Sequence, residues 1–592
     1  MFENSRSWLL WLCVAVLATW FVGIFGRAYW TPDEPREADL SWRMSWQTEK
    51  SVPLLAGEAF CEKPPLTYWV AGATMRAFGM AAWAARLPNL LYALITALAV
   101  LCLARRSVGG LAGVAAAAAS ATFLLSYQVA IWLASDAPLV AAVAVALLGE
   151  YQGFYARDRS GRLRGYTLMH AALAVGFLAK SGAAWMVPAL VLPTLIIWEK
   201  RWRELLRWEL YAGLLLQAVV ILAWVAAVYA GPHGAAHLKI FLWDNLVGRF
   251  TKVAAPAGLQ YTTGHHNSAG KYLFELPLYL WPWTLLVAAA VRRAWMQRRV
   301  PQDRWRAVRF ATACMLPTLA LLSMAATARN IYLAPALPGA ALLLGWWVQT
   351  AEAAADRWDL GAVRATAAML LLAAAAATAA AALVGYDAWN ELPSRGWYVG
   401  VCAAGILAAA ALVRHGWRLA GRGRLTSALA ALLAAYCALA VFPASQIYPQ
   451  VDRWHDLAKI GRALRADLGG APLVLIGPDE TTRAWVDLYT SVTATRIAVP
   501  KGTGGLARLR AAANADPRRR FLVELAGRDV SARVLALAAD LGVRIASSRA
   551  APPPWTKAAG LDVEKIFALP YGRRYALLEP AAAASRRNKA SY

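Results

Sequence analysis

Tyr29-Trp30-Thr31-Pro32-Asp33-Glu34-Pro35-Arg36 and Phe60-Cys61-Glu62-Lys63-Pro64-Pro65-Leu66 bracket the stretch between the first two hydrophobic segments of the chain. Charges crowd here directly beside apolar runs. Ionisable groups at a membrane boundary are costly to desolvate and are kept for function. The remaining sequence reads as the means of holding these two clusters over a bilayer.

Outward from this stretch, apolar runs long enough to cross a membrane recur at 8–25, 87–104, 111–131, 137–155, 166–180, 183–198, 209–230, 276–291, 308–326, 331–348, 365–385, 397–413 and 425–443. Several are short, and the 166–198 pair also reads as one broken helix. Hydrophobic residues make up 59% of the 592, and there are 28 tryptophans, a polytopic membrane composition. The formal net charge of +26 then implies basic cytoplasmic loops and contact with anionic lipid, and no nucleic-acid motif competes. Five of the six cysteines fall in apolar runs and only Cys61 in an obvious loop, so no disulfide framework is expected. The run from Trp8 to Phe25 lacks a small-residue cleavage site and reads as a retained helix.

Arginine and lysine give an independent check. Arg105–Arg106, Arg157–Arg164, Lys200–Arg207, Arg292–Arg299 and Arg414–Arg424 each follow an even-numbered span. Those loops are cytoplasmic by the positive-inside rule. The loops 29–66, 135–136, 231–271 and 386–397 then share the outer side. An odd number of spans sends the tail outward as well. From residue 444 the pattern changes: Leu473–Ile476, Phe521–Glu524 and Tyr575–Leu578 read as short strands, with helical stretches such as Val534–Leu541 between them. The expected architecture is an all-α polytopic membrane domain over 1–443, with periplasmic loops 26–86 and 231–275, and a small soluble α/β domain over 444–592.

Within the outer loops, Asp33-Glu34 between two prolines predicts an extended or turn backbone that aims a carboxylate at a substrate; the same residues also read as a solvated juxtamembrane loop. Lys63, held by Pro64-Pro65, suits a phosphate headgroup, or snorkels from an apolar segment. Asp136 follows Ser135 in a very short turn and is either a site carboxylate or part of a helix cap with Pro138. His265-His266, joined by Glu62, form a candidate zinc set without a spaced metal signature; polar surface histidines are the plain alternative. Arg329 and Tyr332 read as phosphate or sugar contacts, or as an interfacial belt.

Together, an acidic motif after the first span, Lys-Pro-Pro before the second and an Asp in the next outer loop resemble the GT-C membrane glycosyltransferases, which use lipid-phosphate sugar donors. Pro32-Asp33-Glu34-Pro35-Arg36 with Phe60-Cys61-Glu62-Lys63-Pro64-Pro65-Leu66-Thr67-Tyr68-Trp69 looks most like bacterial lipid A aminoarabinose transferases. Ala328-Arg329-Asn330-Ile331-Tyr332 departs from that pattern.

The resemblance implies a GT-C fold of about 13 transmembrane helices with a periplasmic domain. It implies transfer of aminoarabinose from undecaprenyl phosphate to a lipid A phosphate at the periplasmic face of the bacterial inner membrane, by a monomer. Asp33 and Asp136 are then the catalytic carboxylates. Lys63, Arg36 and Arg249 are the donor-phosphate cations, Glu34, Arg329 and Tyr332 further substrate contacts, and Glu62, His265 and His266 the metal candidates. No cofactor is required, and a structural zinc is the one metal admitted. An anionic acceptor needs no strong base; a protein or polyprenol hydroxyl, the alternative acceptor, would make Asp33 its general base. A transporter is the reading from a different class, kept open by Lys180-Ser181-Gly182 at the expected helix break.

Overall fold

The computed structural model of the chain describes residues 5–244, 268, 270–298, 305–325, 329–526, 552–569, 571–581 and 583. The helix expected at Val534–Leu541 lies outside these residues. Each of the thirteen expected spans coincides with a helix or a bent helix pair. Among the described residues, nine helices are long and apolar enough to cross a membrane. Two bent helix pairs bring the number to eleven if each is one span, and Leu10–Phe25 and Met186–Glu199 are shorter apolar helices. The doubtful 166–198 region is two helices, Arg159–Lys180 and Met186–Glu199, separated by a 3-10 turn over Ser181–Ala184.

The bent pairs explain how a helix breaks inside an apolar environment. Gly110–Thr122 turns 63° into Leu124–Ile131, and Lys271–Tyr279 turns 111° into Thr284–Gln297. Backbone groups freed at a break need partners, because lipid supplies none. The two breaks serve each other. Leu124 N–H donates to the Trp281 carbonyl at 2.8 Å, and Trp283 Nε1–H donates to Thr122 Oγ1 at 2.7 Å.

Ion pairs sort the loops into the two sides that the basic residues predict. Arg292 meets Asp356 at 2.8 Å, Arg309 meets Glu199 at 2.8 Å, and Thr426 N–H donates to Glu352 at 2.9 Å, all at the end of the bundle where even-numbered spans finish and odd-numbered ones begin. At the other end, Arg329 meets Asp33 at 3.2 Å, and Arg453 pairs with Asp387.

The first outer loop differs from its expected extended form. Asp33–Trp46 is a helix, with Pro32 at its N-cap position and Pro35 in its first turn. A proline there has no intrahelical bond to lose, so the two prolines frame a helix start. A tight hairpin follows: β1 (Leu54–Leu55) pairs antiparallel with β2 (Glu58–Ala59). Its turn, Ala56-Gly57, has φ of 48° and 86°, the doubly positive geometry that two-residue hairpins favour. Leu66–Phe78 then crosses back over Asp33–Trp46. A Cβ on Gly72 would come within 2.4 Å of the Ser41 carbonyl, so glycine permits this approach.

The last span, Leu425–Asp452, runs through the boundary expected at 444. The soluble domain beyond it holds a five-stranded sheet in the order β4-β3-β5-β7-β6, with β3 Leu473–Ile476, β4 Thr495–Ile497, β5 Arg520–Leu525, β6 Leu561–Ala568 and β7 Arg574–Pro580. Strand β3 is parallel to β4 and β5, while β7 is antiparallel to β5 and β6. All three expected strands are present. Alternate residues serve opposite faces: Leu473 and Leu475 pack with Leu457–Leu468, whereas Val474 and Ile476 pack with Leu509 and Ala513. The helix Glu480–Thr490 lies against Asp33–Trp46, which puts the soluble domain on the side of the acidic motif.

Candidate active site

The helix Asp33–Trp46 does two jobs with one turn. Asp33, Arg36 and Glu37 stand at i, i+3 and i+4, on one face. Glu34 points the other way, into protein.

Glu34 is fully buried and every oxygen is engaged. Arg27 Nη1 donates to Oε2 at 2.7 Å, and Arg86 donates to Oε1 at 2.8 Å and to Oε2 at 2.7 Å. Two backbone N–H groups complete the set, from Trp30 at 2.8 Å and Leu133 at 2.9 Å. Burial alone would raise the Glu34 pKa, but Arg86 and then Arg27 bring it down to about 2. This corrects the expected substrate contact: Glu34 has no face left for one. It ties together the end of the first span, the acidic helix, Arg86 and the loop that leads to Asp136.

The opposite face is a mixed cluster open to the outside. Arg329 Nη1 donates to Asp33 Oδ1 and Oδ2 at 3.2 and 3.3 Å. Arg36 donates to Glu480 of the soluble domain at 2.6 Å, to Glu37 at 3.1 Å and to Asp33 at 3.4 Å. Lys63 Nζ donates to the same Glu37 oxygen at 2.6 Å. Two cations that converge on one carboxylate oxygen are spaced to converge on one phosphate. Glu37 is buried; burial raises its pKa, and Lys63 and then Arg36 override this and hold it at about 2. Glu62 stands in the same field, its pKa raised by burial against the pull of Arg36. Burial, with Glu37 second, also raises the Tyr68 phenol. Arg36 Nε is buried with no hydrogen-bond partner.

Asp136 opens the helix Asp136–Tyr155 but caps nothing, and Ser135 makes no side-chain cap bond either. Instead Lys180 Nζ donates to Asp136 Oδ1 at 2.6 Å. That ammonium also lies 4.8 Å from the centre of the Tyr332 ring. Tyr332 belongs to the 3-10 segment Asn330–Ala336, next to Arg329. One short segment therefore touches Asp33 at its start and the Asp136–Lys180 pair three residues on.

The expected residues thus divide. Asp33, Arg36, Glu62, Lys63 and Arg329 share one cluster, and Asp136 and Tyr332 form its neighbour. Glu34 sits behind them. Arg249, His265 and His266 lie outside the described residues, and among those described no group of three His, Cys, Asp or Glu side chains could hold a metal ion. Sequence reasoning missed Glu37, Glu480 and the Arg27–Arg86 clamp, and gave Lys180 no partner. Only Glu37 carried a local signal, its i+4 spacing from Asp33, which becomes visible once this stretch is known to be helical.

A family model described as dolichyl-phosphate-mannose-protein mannosyltransferase matches residues 62–227. An undecaprenyl phosphate-alpha-4-amino-4-deoxy-L-arabinose arabinosyl transferase of Pseudomonas paraeruginosa is 29% identical over 344 residues, 58% of this chain and 60% of that protein. A protein of the same name from Pseudomonas aeruginosa strain LESB58 is 30% identical over 335 residues, 56% of this chain and 58% of that one. The chain spans about 60% of the length of the curated relatives it matches. The crystal structure of ArnT from Cupriavidus metallidurans bound to undecaprenyl phosphate matches with a TM-score of 0.68 at 19% identity, covering 96% of this chain and 98% of that chain. The same protein in the apo state gives 0.67 at 18%, covering 98% and 99%. The fold is that of ArnT: a multi-pass membrane domain with a C-terminal α/β domain. The resemblance read from the motifs is borne out in fold and in the names of the relatives.

Proposed function

We propose that this chain is a lipid-linked glycosyltransferase that moves aminoarabinose from undecaprenyl phosphate to a lipid A phosphate. It acts as a monomer at the periplasmic face of a bacterial inner membrane. One observation carries the reading: Lys63 and Arg36 converge on a single carboxylate oxygen beside Asp33, at the outer end of a bundle with the ArnT fold.

Both substrates of this reaction are amphiphiles, so their reacting groups meet at the bilayer surface. The leaving group is a polyprenyl phosphate, and Lys63 and Arg36, joined by Arg249, neutralise the charge that develops on it. Asp33 orients the acceptor and stabilises cationic character at the anomeric carbon. Asp136, held by Lys180, positions the sugar or the acceptor, with Tyr332 beside it. Transfer needs no metal in this reading; a zinc on Glu62, His265 and His266 would steady the outer loops.

The test is transfer from undecaprenyl-phosphate-aminoarabinose to lipid A by the purified protein, with and without chelator. Modified lipid A in both arms is expected. The family model named for protein mannosyltransferases favours a second reading, with a hydroxyl acceptor. Turnover of the donor with lipid A left unmodified would select it.

A further inference from the structure

The soluble domain contributes a side chain to the charged cluster, and its position is unlike that of the other carboxylates. We infer that Glu480 is an affinity-setting residue of the donor site: it occupies the outer edge of Arg36 while the site is empty and yields it to a phosphate. The inference rests on the reading of Arg36 as a phosphate contact.

Three observations carry it. First, Glu480 takes Arg36 Nη1 at 2.6 Å, the shortest of the three carboxylate contacts to this guanidinium. A carboxylate on that edge uses the geometry that a phosphate oxygen would use. Second, each of the described cations of the cluster already meets a carboxylate before any ligand arrives. Asp33, Glu37, Glu62 and Glu480 face Arg36, Lys63 and Arg329. An incoming phosphate needs the guanidinium edge that Glu480 already holds, so that carboxylate must leave for it to bind well.

Third, Glu480 is the carboxylate free to leave. Asp33 is shared with Arg329, and Glu37 is enclosed between Lys63 and Arg36. Glu480 retains 26% of its side-chain exposure and belongs to another domain. The seat of that domain does not depend on it. Thr481 Oγ1 donates to the Pro32 carbonyl at 2.6 Å, Arg43 Nε donates to Asp487 at 2.8 Å, and Arg483 donates to Glu58 at 3.1 Å. Glu480 can therefore swing away while its helix stays docked. A residue that merely braced Arg36 would have the opposite effect on binding when removed.

The experiment measures affinity of the purified full-length protein for polyprenyl monophosphate, and in a separate arm for lipid A, by calorimetric titration. Wild type, Glu480→Gln and Arg36→Ala are compared. Glu480→Gln should bind polyprenyl monophosphate about fivefold more tightly, the scale of one partly exposed ion pair. In wild type, saturating ligand should speed amide exchange at the start of the helix Glu480–Thr490. A gain for lipid A alone would move the phosphate on Arg36 from donor to acceptor and overturn the donor-site assignment. Unchanged or weaker binding in Glu480→Gln, with Arg36→Ala impaired, sinks the displacement and leaves the function standing. Arg36→Ala binding as well as wild type sinks both.

Discussion

Glu34 and Glu37 lie three residues apart on one helix, both are buried, and both are held at about pH 2 by basic partners. They nevertheless belong to different kinds of structure. Glu34 has two guanidinium partners and two backbone N–H donors, and none of them reaches the outside. Glu37 holds two cations, and one of them, Arg36, also reaches Asp33 and, in the C-terminal domain, Glu480, and keeps a buried Nε without a partner. A closed set of partners marks a carboxylate that fixes the fold. An open set, reaching a second domain, leaves room for a ligand group to enter. Depressed pKa values alone do not separate the two.

The sharpest way to break this contrast is to remove one partner on each side. Arg86→Met leaves Glu34 with an uncompensated share of buried charge and should cost about 3–5 kcal/mol of stability, read as thermal unfolding in detergent. Lys63→Ala withdraws one of the two cations on buried Glu37, so it should cost about 1–3 kcal/mol of stability, and it should lower transfer about a hundredfold, the loss of one electrostatic contact to the leaving group. If both variants lose stability equally, the distinction between latch and site fails.

A third test reaches the second cluster. Lys180→Met removes the partner of Asp136 and should reduce turnover about tenfold or more, with Lys180→Arg restoring part of it, measured as initial rates at saturating donor. Equal rates in Lys180→Met and wild type would detach Asp136 from the reaction.

A further test of the latch concerns pH. Glu34 is lowered from 4.5 to about 2 on folding, so its contribution to stability is present above about pH 4.5 and is lost as pH falls toward 2. An acid-unfolding profile of wild type should steepen in that window, and Glu34→Gln should lack that component. A variant with the wild-type profile would show that the carboxylate carries no such linkage.

How much of this was legible in advance follows from the range of each interaction. The spans were legible because each is a property of some twenty consecutive residues, and each of the thirteen expected runs is helical, nine to eleven of them long and apolar enough to cross a membrane among the described residues. The three central strands were legible for the same reason, as short continuous apolar runs. The helix Asp33–Trp46 was not, because its two prolines read as helix breakers when they in fact sit at its start. Asp33, Lys63 and Asp136 stood out as charges beside apolar segments. Their partners did not: Arg86 lies 52 residues from Glu34, and Glu480 lies 444 from Arg36. No local pattern reports contacts of that separation.

The central claim is that Asp33 and the cations beside it act together on one glycosyl phosphate. It is tested most directly by single-turnover transfer from undecaprenyl-phosphate-aminoarabinose to lipid A, with wild type and Asp33→Asn side by side and donor affinity measured on the same preparations. The account predicts that Asp33→Asn folds, retains donor affinity within a few-fold and loses transfer by about a thousandfold or more. Transfer at the wild-type rate by that variant would contradict it.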